Sequence, residues 1–170
     1  MLLHKGMFLY PWDIEKNFAK FSEQYLATGC DTVVPALSYH HGTVLSPRNQ
    51  RFYTMKEAFA QFNPNKTRYS EIVPIEDRQH AKTSYALREW SESQGINFTA
   101  WVVYLHNSSL GEQFPELTVK DAWGNHHLHT LCPSNSKVKV YLTELTEDIC
   151  KQFSPTHLAA ESLTPRTPFH

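Results

Sequence analysis

Short apolar runs along this chain alternate with longer stretches in which apolar residues recur every three or four positions. The first run, Met7, Phe8, Leu9 and Tyr10, ends at Pro11, Trp12 and Asp13, which reads as a strand with polar chemistry just past its end. Asp13 then suits an N-cap, and Ile14, Phe18, Phe21, Tyr25 and Leu26 keep helical spacing up to Gly29, so a helix is expected over 14–28. A second run covers 31–39, with Pro35 inside it removing one ladder donor, and gives way to His40, His41 and Gly42. Residues 43–75 form a long excursion with a helical pattern only around 55–62, expected to cover the top of the sheet. Helical spacing returns over 77–94 through Ala81, Tyr85, Ala86 and Trp90, and Gly95 closes it.

The longest apolar run is 96–105, β-branched and aromatic throughout, and it turns polar at His106, Asn107, Ser108 and Ser109. Such a run reads as a strand buried on both faces, as in a parallel sheet. About thirty residues then pass, carrying Trp123, Asn125, His126, His127, His129 and Cys132, far more than a connector needs. Ser134, Asn135 or Ser136 can cap the next helix, whose Val138, Tyr141, Leu142, Leu145, Ile149 and Phe153 keep a 3.6 period until Pro155. Residues 157–163 read as a fourth strand.

Strands alternating with helices predict an α/β fold of βα units around a parallel sheet. A complete eight-unit barrel takes roughly 250 residues, so the expected architecture is an incomplete, half TIM barrel with long loops at the strand C-terminal ends. One domain is expected over 1–163, with a loop insertion at about 41–75 and a tail over 164–170 that reads as a truncation point. The alternatives are a small open doubly wound sheet, or a half barrel that pairs with another chain.

Composition narrows the function. A formal charge of -1 provides no basic field for nucleic acid or an anionic membrane. No apolar run reaches membrane-span length and Met1, Leu2, Leu3, His4 and Lys5 lack a signal-peptide core, so a cytoplasmic location is the expectation. The three cysteines, Cys30, Cys132 and Cys150, are widely separated and odd in number, which argues against a disulfide framework. Ten histidines and 13% aromatic residues favour a polar small-molecule or sugar site over a phosphate site.

In a parallel sheet every strand delivers its C-terminal residues to one rim, so Asp13, His40, His41, His106, Asn107 and Glu161 are expected to gather there. Glycoside cleavage needs one carboxyl to protonate the leaving oxygen and a second as nucleophile or base. Glu161 is the candidate for the first role; its bland alternative is an ion pair with Arg166 or a rim histidine. Asp13 is weighed as a cap. Trp12, Tyr39, Phe52, Tyr53 and Trp123 would stack on sugar faces, with histidines and asparagines, Asn125 included, bonding hydroxyls. Trp90 and Trp101 are assigned to the core. The histidines also admit a metal-dependent hydrolase, although Tyr10, Pro11, Trp12 and Asp13 stand where a first-strand HxH would be; no metal or cofactor site is predicted.

The residues Lys5, Gly6, Met7 and Phe8, then Ser38, Tyr39 and His40, then Trp101 through His106 and Asn107, then Trp123, Gly124 and Asn125, and Leu131 through Asn135 ahead of Tyr141 resemble the N-terminal half of bacterial, glycoside-hydrolase-like TIM barrels that are mostly uncharacterised. The resemblance implies a (β/α)₈ barrel and a saccharide substrate. It places Glu161 at the acid/base position of the large barrel clan of retaining glycosidases, where that clan usually has Asn immediately before the Glu and this chain has Ala160. The expected activity is cleavage of a poly- or oligosaccharide. The alternative is a non-catalytic or truncated sugar-binding fragment, which would self-associate through its open sheet edge.

Overall fold

The computed structural model of the chain describes residues 4–14, 17–46 and 50–164. Its spine is formed by β1 (Gly6–Leu9), β2 (Thr32–Tyr39), β7 (Asn97–Val103) and β10 (His157–Glu161). These pair in chain order and all run parallel: β1 with β2, β2 with β7, and β7 with β10. Each parallel step is bridged by a helix: α2 (Phe18–Ala27), α3 (Arg78–Ser93) and α5 (Ser136–Phe153). The molecule is therefore mixed α/β around a mostly parallel sheet, with its main strands where the apolar runs predict them. Pro35 costs the ladder little because it stands at the last β1 pair, Leu9 with Pro35, next to a register shift on the β7 side between Ala36 and Ser38.

Side-chain alternation splits the sheet into two faces. Val33 and Leu37 of β2 and Phe98, Ala100 and Val102 of β7 pack in one cluster with Phe21 and Tyr25 of α2, Leu87 and Trp90 of α3 and Leu145, Ile149 and Phe153 of α5. The intervening residues, Val34, Ala36, Trp101 and Val103, belong to a second cluster with Trp12, Tyr39 and Met55. All three bridging helices thus pack on one face, and the other is left to a hairpin and to aromatic rings. Phe8 on that face is 61% exposed.

The first predicted helix is in fact two. Pro11 opens a single turn, α1 (Pro11–Ile14), as its fixed φ allows at a first helical position, and Asn17, whose side chain accepts from the Lys20 N–H at 2.9 Å, caps α2. Asp13 is therefore no cap; its carboxylate accepts from the Ser46 hydroxyl. Periodicity hid the break because Ile14 and Phe21 reach the same core.

The excursion after β2 is also more regular than expected. It contains an antiparallel hairpin, β3 (Gly42–Ser46) with β4 (Arg51–Met55), then β5 (Phe59–Ala60) and β6 (Ile75–Glu76). The helical pattern over 55–62 loses to backbone pairing: β5 runs antiparallel to β2 at Ser38 and Tyr39, and the Gln61 N–H donates to the Leu37 carbonyl at 2.8 Å. Farther on, the loop is tied to α5 by the buried Asp148 carboxylate, which accepts from the Asn65 N–H at 2.8 Å and the Tyr69 hydroxyl at 3.0 Å.

The thirty residues after β7 hold α4 (Ser108–Gln113) and the hairpin of β8 (Thr118–Lys120) with β9 (His126–Leu131). Asn135 caps α5, accepting from the Lys137 N–H at 2.9 Å, and Ser154 ends it in the left-handed region at φ 43°. The tail beyond Thr164, including Arg166 and the expected truncation point, lies outside the described residues.

Candidate functional site

The C-terminal ends of the parallel strands carry a continuous group of rings. From the end of β1, Tyr10 stacks on Trp12 with centroids 4.6 Å apart, and Trp12 stacks in turn on Tyr53 of β4 at 5.0 Å. Tyr39, the last residue of β2, meets Trp101 of β7 edge-on at 5.0 Å, and the Tyr10 and Tyr39 hydroxyls lie 3.0 Å apart. Burial, reinforced by the Tyr10 hydroxyl, holds the Tyr39 phenol above the ordinary range, so it stays a neutral donor. Against this floor stands Glu161 at the end of β10, where the Trp101 indole N–H donates to its Oε2 at 2.8 Å.

The histidines occupy the adjoining side. His40 lies between Tyr39 and His106, stacked with centroids at 4.4 and 4.2 Å. Its Nδ1 is 2.5 Å from the His41 carbonyl oxygen, which can only accept, so Nδ1 is the donor of that bond. The His41 and His129 rings each lie 6.3 Å from His106, and His127 lies 6.0 Å from His129. His106 reaches this place because it continues β7 and bridges Thr130, while the Asn107 N–H donates to the His129 carbonyl at 3.2 Å. Asn107 also caps α4, its Oδ1 accepting from the Leu110 N–H at 2.9 Å, so half of its amide is committed to structure.

Not every expected residue joins this group. Trp123 is 87% exposed in the β8–β9 turn and stacks on none of the rim rings. Asn125 is engaged within that turn, its backbone and side-chain N–H groups both donating to Asp121 at 2.9 Å. Those bonds hold the Asp121 carboxyl below the usual range. The alternation of β4 separates the two hairpin aromatics, turning Tyr53 onto Trp12 and leaving Phe52 71% exposed.

Other groups appear that periodicity missed. Trp101 sits on the rim side of the sheet, not among the helices. Its pairing is readable only with register, since Trp101 aligns with Ala36 on one side and Ala159 on the other. Beneath Tyr53, the buried His80 ring holds Nδ1 2.6 Å from an Asp77 oxygen. Burial opposes charge on Asp77, yet the hydrogen bond from His80 keeps its carboxyl below the usual range. Among the described residues, no three His, Cys, Asp or Glu side chains are grouped to hold a metal ion, and no helix is long and apolar enough to cross a membrane.

Neither a protein-family model nor a curated protein matches this chain. Solved structures do. A hypothetical protein from Ruminiclostridium thermocellum superposes with a TM-score of 0.61 at 16% identity, over 86% of this chain and 72% of that one. A noncanonic maltogenic α-amylase from Thermotoga neapolitana gives 0.59 at 13% identity, over 95% of this chain and 39% of the amylase. A β-N-acetylhexosaminidase from Bacteroides fragilis gives 0.53 at 10% identity, over 92% of this chain and 31% of that enzyme. At such identities the likeness is one of fold: this chain has the mixed α/β architecture found in parts of two glycosidases.

Proposed function

We propose that this chain is a glycoside-hydrolase-like, carbohydrate-active half barrel that binds a poly- or oligosaccharide across the rim and uses Glu161 as its acid/base. Three features support the half barrel: parallel strands paired in chain order, bridging helices on one face only, and likeness to parts of two glycosidases. The observation that carries the function is the Glu161 carboxylate at the end of β10, hydrogen-bonded to the Trp101 indole with the half-buried Tyr10 ring beside it; Trp12, 1% exposed and stacked between Tyr10 and Tyr53, supports that ring and is closed to a sugar. Aromatic faces cover the apolar faces of sugar rings, and a carboxyl oriented by one donor can offer its other oxygen to a glycosidic oxygen. His40, His41, His106 and the amide of Asn107 would bond hydroxyls.

The test is kinetic. On a cleaved oligosaccharide, Glu161→Gln is expected to lower turnover by about 10²- to 10⁴-fold, the usual weight of general acid–base catalysis, with binding retained. Unchanged turnover would remove Glu161 from the chemistry.

A second reading, binding without hydrolysis, is favoured by the engagement of two other carboxylates, Asp13 and Asp77. Asp13 is held by Ser46 and Asp77 by His80, so neither is poised as a partner to Glu161. Saccharide binding by a chain that cleaves nothing would select it.

A further inference from the structure

The turn of the β8–β9 hairpin is built without the indole it carries. The Asp121 carboxylate accepts from the Trp123 and Asn125 N–H groups through Oδ1, both at 2.9 Å, and from the Asn125 amide through Oδ2 at 2.9 Å. A backbone pair closes the turn, with the Asp121 N–H donating to the Asn125 carbonyl at 3.0 Å and the Gly124 N–H to the Asp121 carbonyl at 3.1 Å, and Gly124 takes φ 88°. To all this Trp123 contributes a main-chain N–H that any residue but proline would supply. Its side chain is 87% exposed, and among the described residues it makes no ring contact or hydrogen bond.

The tip is nevertheless fixed relative to the rim. At the base of the hairpin the Leu131 N–H donates to the Leu105 carbonyl at 2.9 Å and the Asn107 N–H to the His129 carbonyl at 3.2 Å, which ties β9 to the chain just past β7. Thr130 bridges His106, and at about 3.3 Å per strand residue the run from Thr130 to His126 and on into the turn puts the indole on the order of 15 Å from that bridge. A single sugar ring beside Tyr10 and Glu161 does not span that distance. A chain of several rings does.

The setting also selects the ligand. Lys120, Asp121 and Asn125 share the tip with Trp123, and the next large exposed apolar side chain along the hairpin is Leu128, at 38%. A protein interface centres on several packed apolar side chains, a membrane-lying surface needs a broad apolar face with basic residues, and a single nucleic-acid strand needs a positively charged track. One indole among mixed polar groups, on a chain of net charge -1, meets none of these requirements. It does meet those of a sugar, whose ring lays an apolar face on a flat aromatic surface and keeps its hydroxyls toward polar groups and water.

We infer that Trp123 is an outlying stacking platform for a polysaccharide, engaging one sugar ring while another lies at Tyr10 and Glu161. The inference rests on the saccharide reading and narrows it to a polymer long enough to reach both places at once, so that the second contact is made at high effective concentration. No bond of the polymer changes at Trp123.

Native electrophoresis of the full chain through gels holding soluble starch, soluble xylan or glycol chitin, beside calorimetric titration with maltotriose, xylotriose and triacetylchitotriose, tests this. A polymer that binds retards the chain. Trp123→Ala leaves the turn bonds and the circular dichroism in place and should weaken binding of that polymer about 3- to 10-fold, the weight of one aromatic stack. The matching trisaccharide should bind both proteins alike. Polymer affinity unchanged by Trp123→Ala, or a trisaccharide weakened to the same degree, overturns the inference and leaves the saccharide reading standing. Trisaccharide binding without retardation by any polymer does the same. Loss of concentration-dependent self-association in Trp123→Ala would make the tip a contact between proteins and also overturn it. If no polymer and no trisaccharide binds, both fall together.

Discussion

An indole N–H can only donate, and at Trp101 it donates to the carboxylate proposed to do chemistry. That assigns Trp101 a positioning task, separable from its packing by Trp101→Phe, which keeps an aromatic ring and removes the donor. A hydrogen bond to a charged group contributes about 1.5–3 kcal/mol, so kcat should fall by roughly 10- to 100-fold while KM stays within about twofold. The pH profile should move with it; a purely structural role would lower the folded fraction and leave the profile in place. Gly111 is a second residue whose identity is set by its surroundings. A Cβ there would lie 1.7 Å from the Leu128 carbonyl oxygen and 2.7 Å from its carbon, backbone atoms with no rotamer to escape into. Gly111→Ala should destabilise the fold by about 3 kcal/mol in urea unfolding, the upper end for overpacking, and an unchanged midpoint would mean that α4 slides freely over β9. Neither role is legible in a linear pattern. Trp101 reads as core because its immediate neighbours in sequence are apolar, and nothing in the linear pattern marks Gly111, because the carboxylate of Glu161 and the backbone of Leu128 come from distant parts of the chain.

Among the elements, apolar pattern and burial agree fully for β2 and β7, while β1 and β10 at the margins of the sheet are only partly buried. The apolar runs became β1, β2, β7 and β10, and the 3.6-residue spacing over α3 and α5 matches helices whose inward residues are buried. The pattern over 55–62 failed because the backbone of β2 was available to pair with it. The start of α3 shows an element secured by charge. Asp77 accepts from the Gln79 and His80 N–H groups as its cap and from the His80 ring, which lies edge-on to Tyr53 of the β3–β4 hairpin. Because the folded state holds the Asp77 carboxyl below its unfolded value of about 3.9, its contribution is fully present above that value. It is lost as pH falls through the lower, folded pKa. Asp77→Asn keeps a capping side chain but cannot be charged. The difference in melting temperature between the two proteins should be constant above about pH 5 and shrink on further acidification; a difference that persists unchanged into strong acid would show that the charge of Asp77 contributes nothing.

For the whole molecule, the parallel sheet has a consequence beyond the site. Among the described residues β10 pairs only with β7, and beside it Tyr104, Leu142, Leu158 and Leu163 line a groove of about 360 Å³. An unclosed edge next to apolar surface recruits other chains. Light scattering during size exclusion of the 170-residue chain is expected to give a mass above 19.7 kDa that rises with concentration, and a monomer at high concentration would contradict the self-association proposed through this edge. What the sequence determined by itself was local: which segments are apolar enough to be central strands, where helical spacing begins and stops, and which polar residues follow each strand. Those properties depend on neighbours a few positions apart. Tertiary structure alone decided that Trp101 faces Glu161, that Trp123 stays in a solvent-facing turn while Tyr53 covers Trp12, and that His40 stacks on His106 while His41 meets it edge-on. Each of these depends on strand register and on which face of a pleated strand a side chain occupies, and a shift of one residue in the pairing exchanges the two faces.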